Sequence, residues 1–202
     1  MDRADEIARR FLSLGMEAPS NLESQRLGAY LDLLLRWNAK MNLTSVREPG
    51  EIIDRHFAEC VFAARSLPEE IATLLDFGSG AGFPGIPIAV CHPGIHVVLG
   101  ECQAKKAVFL REALRSLEIP GEVYSGRIES MPTGRLFDAV CMRAVDKMAE
   151  AIGVARPRAR KYLILLAGQD AGKLKELAPE FQWKVPAVLP GRNGLLLCGE
   201  RV

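Results

Sequence analysis

The sequence predicts an α/β fold in which a mostly parallel, twisted sheet carries helices on both faces, with a helical cap before it and a hairpin at its end. Two patterns support this prediction. Up to residue 68 the apolar residues recur at helical spacing, whereas from residue 72 short apolar runs alternate with helical segments. That alternation is typical of a parallel sheet covered by helices. We therefore divide the chain into a cap, 1–68, and a Rossmann-like domain, 69–202, which should pack as one compact unit.

Three helices are predicted in the cap. The first spans residues 2–15. The second follows Ser20 and Glu23, which have the spacing of a capping box, where each side chain bonds the backbone N–H of the other residue. The third begins at Pro49, because proline suits a first helical turn, where its missing N–H costs nothing. Residues 37–44 break the helical period and predict a loop.

The predicted strands follow from the apolar runs after the cap. Five of them should form the main sheet, at 72–77, 96–100, 123–125, 137–142 and 162–167. Two later runs, near 183–189 and 194–198, predict a terminal hairpin around a turn at 190–193. Helices are expected between the strands, and one of them should cover residues 146–155.

A glycine-rich turn after the first strand is the main functional signal. Gly78, Gly80, Gly82 and Gly85 lie there, and a backbone without Cβ atoms can turn sharply and approach a ligand closely. The helix that follows presents free N–H groups and the positive end of its dipole to that ligand. We interpret the segment as the nucleotide-binding turn of a doubly wound fold.

The spacing of this turn is compatible with two cofactors. Counted from Gly80, Gly-x-Gly-x-x-Gly matches the dinucleotide fingerprint and favours a nicotinamide-dependent oxidoreductase. Counted from Asp76, acid-x-Gly-x-Gly-x-Gly resembles the first motif of S-adenosylmethionine-dependent methyltransferases. The second frame starts where the strand ends, which is where the turn should begin. We therefore favour S-adenosylmethionine, with Asp76, Gly78 and Gly80 among the residues that bind it.

The ends of the later strands supply further candidates, because ligands of such sheets lie outside the carboxyl ends of the strands. Glu101 ends the second strand, 23 positions after Gly78, and its carboxylate can accept both ribose hydroxyls. After the third strand, Ile128 can pack against an adenine face, and Glu129 follows it. Arg143 ends the fourth strand, at the position expected of a catalytic or substrate-clamping group.

The fourth strand also narrows the chemistry. It lacks the Asp/Asn-Pro-Pro-aromatic motif that is usual in methyltransferases acting on exocyclic amines. Cys141 has no proline before it, unlike the nucleophilic cysteine of cytosine-carbon enzymes, so we interpret it as a packed strand residue. Without an evident nucleophile or base, the acceptor must already carry a lone pair, and a guanine ring nitrogen fits. Catalysis is then chiefly the alignment of that lone pair with the methyl group.

Composition and charge predict a cytoplasmic protein without a metal site. The five cysteines are scattered, odd in number and include no Cys-x-x-Cys pair, which favours reduced thiols. The polar first residues are unlike a signal peptide, and no apolar run approaches membrane-spanning length. A formal charge of +1 is not the global basic signature of nucleic-acid binding. Any contact to RNA must therefore come from a local patch.

Several short segments, taken together, are similar to one family. They are Asn42-Leu43-Thr44, Arg55-His56-Phe57, Asp76 to Pro87, Lys105-Lys106, Arg127-Ile128-Glu129 and Arg143-Ala144-Val145. In this combination, from about residue 30 to 170, the chain resembles the bacterial small-subunit ribosomal RNA guanine-7-methyltransferases (RsmG, also called GidB). The resemblance implies a class I methyltransferase fold. It also implies formation of 7-methylguanosine in 16S ribosomal RNA, with S-adenosylmethionine as the methyl donor.

Carried over by position, the cofactor contacts of this family fall on Gly78, Phe83, Ile128, Glu129 and Arg143, and Arg143 is also the catalytic candidate. Contacts to RNA are expected from polar and basic residues beside the proposed mouth, namely Asn38, Lys40, Asn42, Arg47, Arg55 and His56. The implied partner is small-subunit ribosomal RNA or the assembled small ribosomal subunit, bound by a monomer. Besides the oxidoreductase, one more alternative stays open, a binding module that keeps the fold and contacts RNA without catalysis.

Overall fold

The computed structural model describes residues 2–145, 147–168, 171–191 and 194–202. Its helices are α1 (Arg3–Ser13), α2 (Asn21–Asn38), α3 (Pro49–Ile52), α4 (Ala58–Arg65), α5 (Gly85–Cys91), α6 (Ala104–Ser116), α7 (Met148–Ala155) and α8 (Ala171–Glu176). Its strands are β1 (Thr73–Phe77), β2 (His96–Gly100), β3 (Gly121–Tyr124), β4 (Phe137–Arg143), β5 (Ala159–Ala167), β6 (Phe181–Trp183), β7 (Ala187–Val188) and β8 (Leu195–Arg201). A π-helical turn, Ile53–Phe57, joins α3 to α4, and 3-10 turns lie at Ile128–Ser130 and Arg156–Arg158.

The strands form one sheet in the order β3-β2-β1-β4-β5-β8-β6, with β7 also paired to β8. The five strands β3-β2-β1-β4-β5 are parallel to one another, whereas β8 is antiparallel to β5 and β6. The first three strands extend to one side, and the chain then returns to the middle for β4. The order therefore reverses between β1 and β4, the switch point at which doubly wound folds bind their ligands. The predicted, mostly parallel α/β fold is confirmed.

Strand β3 begins two residues before the predicted run at 123–125. A Cβ at Gly121 would lie 2.4 Å from the carbonyl oxygen of Val97, its partner on β2. Glycine weakens a strand in most places, but it is required where two backbones come this close. The prediction of a strand is thus confirmed, and its predicted start is wrong.

The C-terminal part of the sheet differs from the prediction in one respect. The run expected near 183–189 is two short strands, β6 and β7, and both pair antiparallel with β8. Strands β7 and β8 correspond to the predicted hairpin, although Arg192 and Asn193 of its turn lie outside the described residues. The predicted helix at 146–155 is α7, and Asp146 also lies outside the described residues.

The cap has the predicted outline of three helices, but the third is irregular. At the start of α2, the Ser20 hydroxyl accepts the Glu23 N–H at 3.3 Å, and the Glu23 carboxylate accepts the Ser20 N–H at 2.7 Å, so the capping box is confirmed. After α3, the N–H of Ala58 bonds the carbonyl of Ile53, five residues back, which defines the π-helical turn. One extra residue in a turn leaves little trace in an apolar pattern, and the sequence therefore predicted an unbroken helix. Such turns are rare and lie frequently at functional sites.

Apolar side chains pack against both faces of the sheet. Leu27 and Ile53 of the cap belong to one cluster with Leu74 of β1. Its neighbour Leu75 points to the other face, as alternation along a strand requires, and packs in a second cluster with Ile152 of α7. The cap thus lies on one face of the sheet and α7 on the other. Among the described residues, no helix is both long and apolar enough to cross a membrane.

Candidate active site

The parallel register brings three strand ends together. The last residue of β1 is level with Gly100 on β2 and with Met142 on β4. The residues that follow on these strands, Gly78, Glu101 and Arg143, therefore lie beside one another at the carboxyl edge of the sheet. This is the grouping that the strand-end rule predicted from the sequence.

The glycine turn has an open side. Gly78 and Gly80 have φ values of +76° and +57°, a region in which side chains with a Cβ are strained. Among the described residues, its two chain neighbours aside, only the Gly78 carbonyl oxygen lies within 4 Å of where a Cβ on Gly80 would stand, at 3.9 Å. A ligand can therefore approach the backbone closely at Gly80.

Asp76 lies beneath the turn. Its side chain has no exposed surface, and its carboxylate accepts the backbone N–H of Gly85 at 3.0 Å and lies 3.7 Å from the sulfur of Cys141. Burial raises the pKa of Asp76 to about 7, against the lowering effect of these hydrogen bonds. The carboxylate thus ties the far end of the glycine turn back to β1, and the cofactor contact predicted for Asp76 stays a prediction.

Glu101 holds the turn from the neighbouring strand. One carboxylate oxygen accepts the Gly80 N–H at 3.0 Å, and the other accepts the Gln103 N–H at 2.7 Å. The residue is only 6% exposed, so these bonds are shielded from water. Each oxygen keeps a second lone pair, which leaves the ribose contact predicted for Glu101 possible in geometry, and that contact stays a prediction.

The segment after β3 is fixed by an arginine that the sequence did not single out. The Arg158 guanidinium, which is buried, donates to the backbone carbonyls of Ile128 at 2.9 Å and Met131 at 2.7 Å. Ile128 is also buried, and it packs where a Cβ on Gly100 would stand. Glu129, next to it, is exposed. The cofactor contacts predicted for Ile128 and Glu129 stay predictions, on a segment that Arg158 holds in place.

Arg143 connects the end of β4 to the cap. Its Nε and Nη2 atoms both donate to the Glu59 carboxylate, at 3.1 and 2.7 Å. Nη2 also donates to the Arg55 carbonyl at 3.2 Å and to Nδ1 of His56 at 2.9 Å. The guanidinium carbon lies 5.8 Å from the centre of the Phe83 ring, within reach of a cation–π contact. Sequence reasoning found Arg143 but missed Glu59, because an acid in a helix ordinarily faces solvent.

His56 is a neutral structural partner of Arg143. An arginine only donates, so Nδ1 of His56 must accept, and its Nε2 carries the proton that it shares with the Thr44 hydroxyl at 3.2 Å. Burial, with the positive charges of Arg143 and Arg55, lowers the pKa of His56 to about 3. The residue is 8% exposed. Both ring nitrogens are engaged inside the protein, and the RNA contact predicted for His56 stays a prediction.

An aromatic cluster supports the turn from the cap side. The hydroxyl of Tyr30, a fully buried residue of α2, donates to the Ala81 carbonyl in the glycine turn. Its ring stacks on Phe57 at 5.5 Å between centroids and lies 5.6 Å from Phe83. In the sequence Tyr30 fits an apolar helical stripe, so nothing marked its hydroxyl as a contact to the turn. Phe83 is buried in this cluster, and its predicted cofactor contact stays a prediction.

The residues predicted to contact RNA divide into two groups. Asn38 is 4% exposed, and its side-chain oxygen accepts the N–H groups of Leu43 and Thr44 at 2.9 and 3.1 Å. Asn38 thus shapes the loop after α2, and the RNA contact predicted for it stays a prediction. Three others, Lys40, Asn42 and Arg47, are exposed on that loop, and Arg55 is partly exposed and paired with Glu51.

Comparison with known proteins identifies the family. A family model described as rRNA small subunit methyltransferase G (GidB) matches residues 23–184. The chain belongs to this family. A ribosomal RNA small subunit methyltransferase G from Rhodopseudomonas palustris (strain BisB5) is 36% identical, over 96% of this chain and 88% of the relative. One of the same name from Xanthomonas euvesicatoria is 37% identical, over 82% of this chain and 80% of the relative. The resemblance and the methyltransferase class predicted from the sequence are confirmed.

Solved structures confirm the predicted fold. An O-methyltransferase from Bacillus cereus, crystallised in complex with SAH, superposes with a TM-score of 0.63 over 86% of this chain and 91% of that one, at 17% identity. TrmN from Thermus thermophilus gives 0.60 over 74% of this chain and 53% of that one, at 16% identity. At these identities the likeness establishes the Rossmann-like class I methyltransferase fold alone.

Proposed function

We propose that this protein transfers a methyl group from S-adenosylmethionine to a guanine ring nitrogen of small-subunit ribosomal RNA, and so forms 7-methylguanosine. Membership of the rRNA small subunit methyltransferase G family supports the enzyme class and the RNA. The observation that carries the proposal is the glycine turn, which is open above Gly80 and flanked by Glu101 and Arg143. A nucleoside can lie against that turn with its sugar toward Glu101.

The residues present fit S-adenosylmethionine. A Cβ at Gly80 would stand in open space, so a ligand can occupy it, and the Glu101 carboxylate lies next to the turn with lone pairs to spare. Glu101 would hold the ribose, Ile128 would face the adenine, and the backbone at Gly78 and Gly80 would contact the rest of the cofactor. When bound, the cofactor supplies an electrophilic methyl group on a sulfonium.

The groups around Arg143 suit a reaction without proton transfer. Nδ1 of His56 accepts a hydrogen bond from Arg143, and its Nε2–H donates a hydrogen bond to the Thr44 hydroxyl. His56 therefore has no lone pair free to act as a base. The Glu59 carboxylate is engaged by Arg143, and the Cys141 thiol is buried, which raises its pKa well above the ordinary value. A guanine N7 already carries a lone pair at neutral pH. The task left to the protein is alignment, with Arg143 fixed at the strand end to orient the reacting groups.

RNA would contact the exposed loop after α2. Lys40 and Arg47 offer positive charge to phosphates, and Asn42 offers an amide to a phosphate or a base edge. We further propose that the cap, 1–68, and the sheet domain, 69–202, act as one unit, because cap and sheet side chains share a hydrophobic cluster. The working form would be a cytoplasmic monomer acting on small-subunit RNA or on the assembled subunit.

The decisive experiment is methyl transfer from labelled S-adenosylmethionine to small ribosomal subunits, and to their deproteinised RNA, from cells that lack the corresponding modification. We expect label in 7-methylguanosine with at least one of the two substrates, and none with the Gly78→Val variant. Label in another nucleoside would refute the guanine assignment. Cofactor binding without transfer to either substrate would favour the non-catalytic module, and binding of NADH in place of S-adenosylmethionine would favour the oxidoreductase.

A further inference from the structure

A chain of partly buried hydrogen bonds runs from a loop of the cap to Arg143. The Thr44 hydroxyl bonds Nε2 of His56 at 3.2 Å, and Nδ1 of the same ring accepts Nη2 of Arg143 at 2.9 Å. Thr44 belongs to the segment between α2 and α3, residues 39–48, which we name the 39–48 loop. One imidazole therefore joins this loop to the strand end at the candidate active site.

The 39–48 loop is braced so that Thr44 moves with its exposed residues. The side-chain oxygen of Asn38 accepts the backbone N–H groups of Leu43 and Thr44, and its amide donates to the carbonyl of Val46 at 3.4 Å. The Thr44 hydroxyl also accepts the Val46 N–H at 3.2 Å. On the outer side, the Arg47 guanidinium donates to the Asn42 side chain at 3.1 Å. A ligand that displaces the exposed side of the loop must therefore displace Thr44 as well.

The π-helical turn supplies the other end of the connection. Within it, the carbonyl of Arg55 accepts Nη2 of Arg143 at 3.2 Å, while His56 presents Nδ1 to the same nitrogen at 2.9 Å. In a regular α-helix the backbone carbonyls accept hydrogen bonds from the helix's own N–H groups. An irregular turn can orient a backbone carbonyl so that it also accepts a hydrogen bond from a side chain of another element. The turn and the Glu59 carboxylate thus bind the Arg143 guanidinium together.

We propose that His56 is a positioning residue that couples the binding of RNA on the 39–48 loop to the orientation of Arg143, and so to the binding of cofactor. This inference rests on the proposed function. Coupling of this kind is reciprocal, so RNA should raise the affinity for cofactor by the same factor by which cofactor raises the affinity for RNA. Because two hydrogen bonds in series carry the effect, we expect a factor of about 5 to 20, at the lower end of usual couplings.

The test measures the dissociation constant of S-adenosylhomocysteine with and without saturating small-subunit RNA, for the full chain and two variants. Thr44→Val removes the hydroxyl and keeps the side-chain shape. His56→Asn keeps an acceptor near the place of Nδ1 for Arg143, but its side chain is too short to reach Thr44. For Thr44→Val we expect cofactor affinity without RNA within about twofold of the wild type, and for both variants we expect the coupling factor to fall to about 1. The double variant should show no further loss, because both changes break the same connection.

Ser45→Ala is the matched control. Ser45 is exposed on the same loop, and this variant should keep the full coupling factor. A wild-type protein that transfers methyl groups to RNA but shows a coupling factor of 1 would overturn the inference and leave the proposed function intact. Full coupling in Thr44→Val would overturn it too. A wild-type protein that neither binds S-adenosylhomocysteine nor transfers methyl groups would instead overturn the proposed function.

Discussion

Glu59→Ala is the perturbation that most directly tests how the candidate site is built. Glu59 of α4 is 4% exposed, and its carboxylate accepts two N–H groups of Arg143 at the end of β4. Removing one partner of a buried ion pair leaves the other charge unpaired, at a cost of about 3–5 kcal/mol. The Arg143 side chain is 12% exposed, which admits some water and puts the expected cost near the lower end of that range.

The assays are equilibrium urea denaturation at neutral pH, which gives the free energy of unfolding, and thermal unfolding, which gives the melting temperature. A loss of about 3 kcal/mol should lower the melting temperature by roughly 6–12 °C in a protein of this size. The control is Glu51→Ala, which removes the carboxylate from the exposed pair that Glu51 makes with Arg55 on the same helical segment. Exposed pairs four residues apart contribute only about 0.3–0.5 kcal/mol, so the control should unfold almost like the wild type.

A double-variant cycle separates the ion pair from simple loss of packing. Glu59→Leu with Arg143→Met replaces both charges by apolar groups of similar size, and such replacements are often neutral or stabilising. The double variant should therefore be at least about 2 kcal/mol more stable than the sum of the two single changes implies. Additive costs, or a Glu59→Ala cost no larger than that of Glu51→Ala, would refute the account of Arg143 as a buried, paired cation.

Three further predictions concern the turn and the buried ionisable groups. Gly78→Val should abolish binding of S-adenosylhomocysteine in calorimetry, because φ is +76° and a Cβ would lie 3.2 Å from Val145; unchanged affinity would remove the turn from the site. Glu101→Gln places an amide N–H against a backbone N–H, so we expect urea denaturation to give a free energy of unfolding about 1–3 kcal/mol lower, and ligand binding to be weaker. Wild-type values of both would show that the carboxylate does not hold the turn. Folding lowers the pKa of His56 from 6.5 to about 3, so the stability that His56 contributes is complete above pH 6.5 and is lost as the pH falls toward 3. Folding raises the pKa of Asp76 from 3.8 to about 7, so the stability that Asp76 contributes is complete below pH 3.8 and is lost as the pH rises through 7. The two effects oppose each other between pH 3.8 and 6.5, and Asp76→Asn should therefore make urea stability fall more steeply on acidification there; an unchanged slope would contradict the raised pKa of Asp76.

The sequence could predict those parts of the site that follow from topology. A strand, a glycine turn and a helix fix where the first strand ends, and the parallel register then places Glu101 and Arg143 beside Gly78. No contact between distant residues is needed for that inference, because the sheet itself aligns the strand ends. For the same reason the family resemblance could be stated from short motifs that lie at these ends.

The residues that hold the site in shape could not be predicted in this way. Glu59 pairs with a residue 84 positions away, and the Tyr30 hydroxyl bonds a carbonyl 51 positions away. Whether a helical acid or tyrosine faces water or another element depends on packing that local periodicity does not contain. The same holds for Asn38 and His56, since the sequence alone does not show whether a polar side chain braces a loop or contacts a ligand.

The π-helical turn at Ile53–Phe57 also sets the direction in which the rest of the cap's third helix presents its side chains. A π turn fits one more residue into a turn than an α-helix does, so regular α-helical geometry over the same residues would rotate Glu59 by about a quarter of a turn around the helix axis. The carboxylate would then leave the guanidinium without any of the participating side chains having been replaced. Spacing along the backbone, independent of composition, is thus a requirement for assembling this end of the sheet.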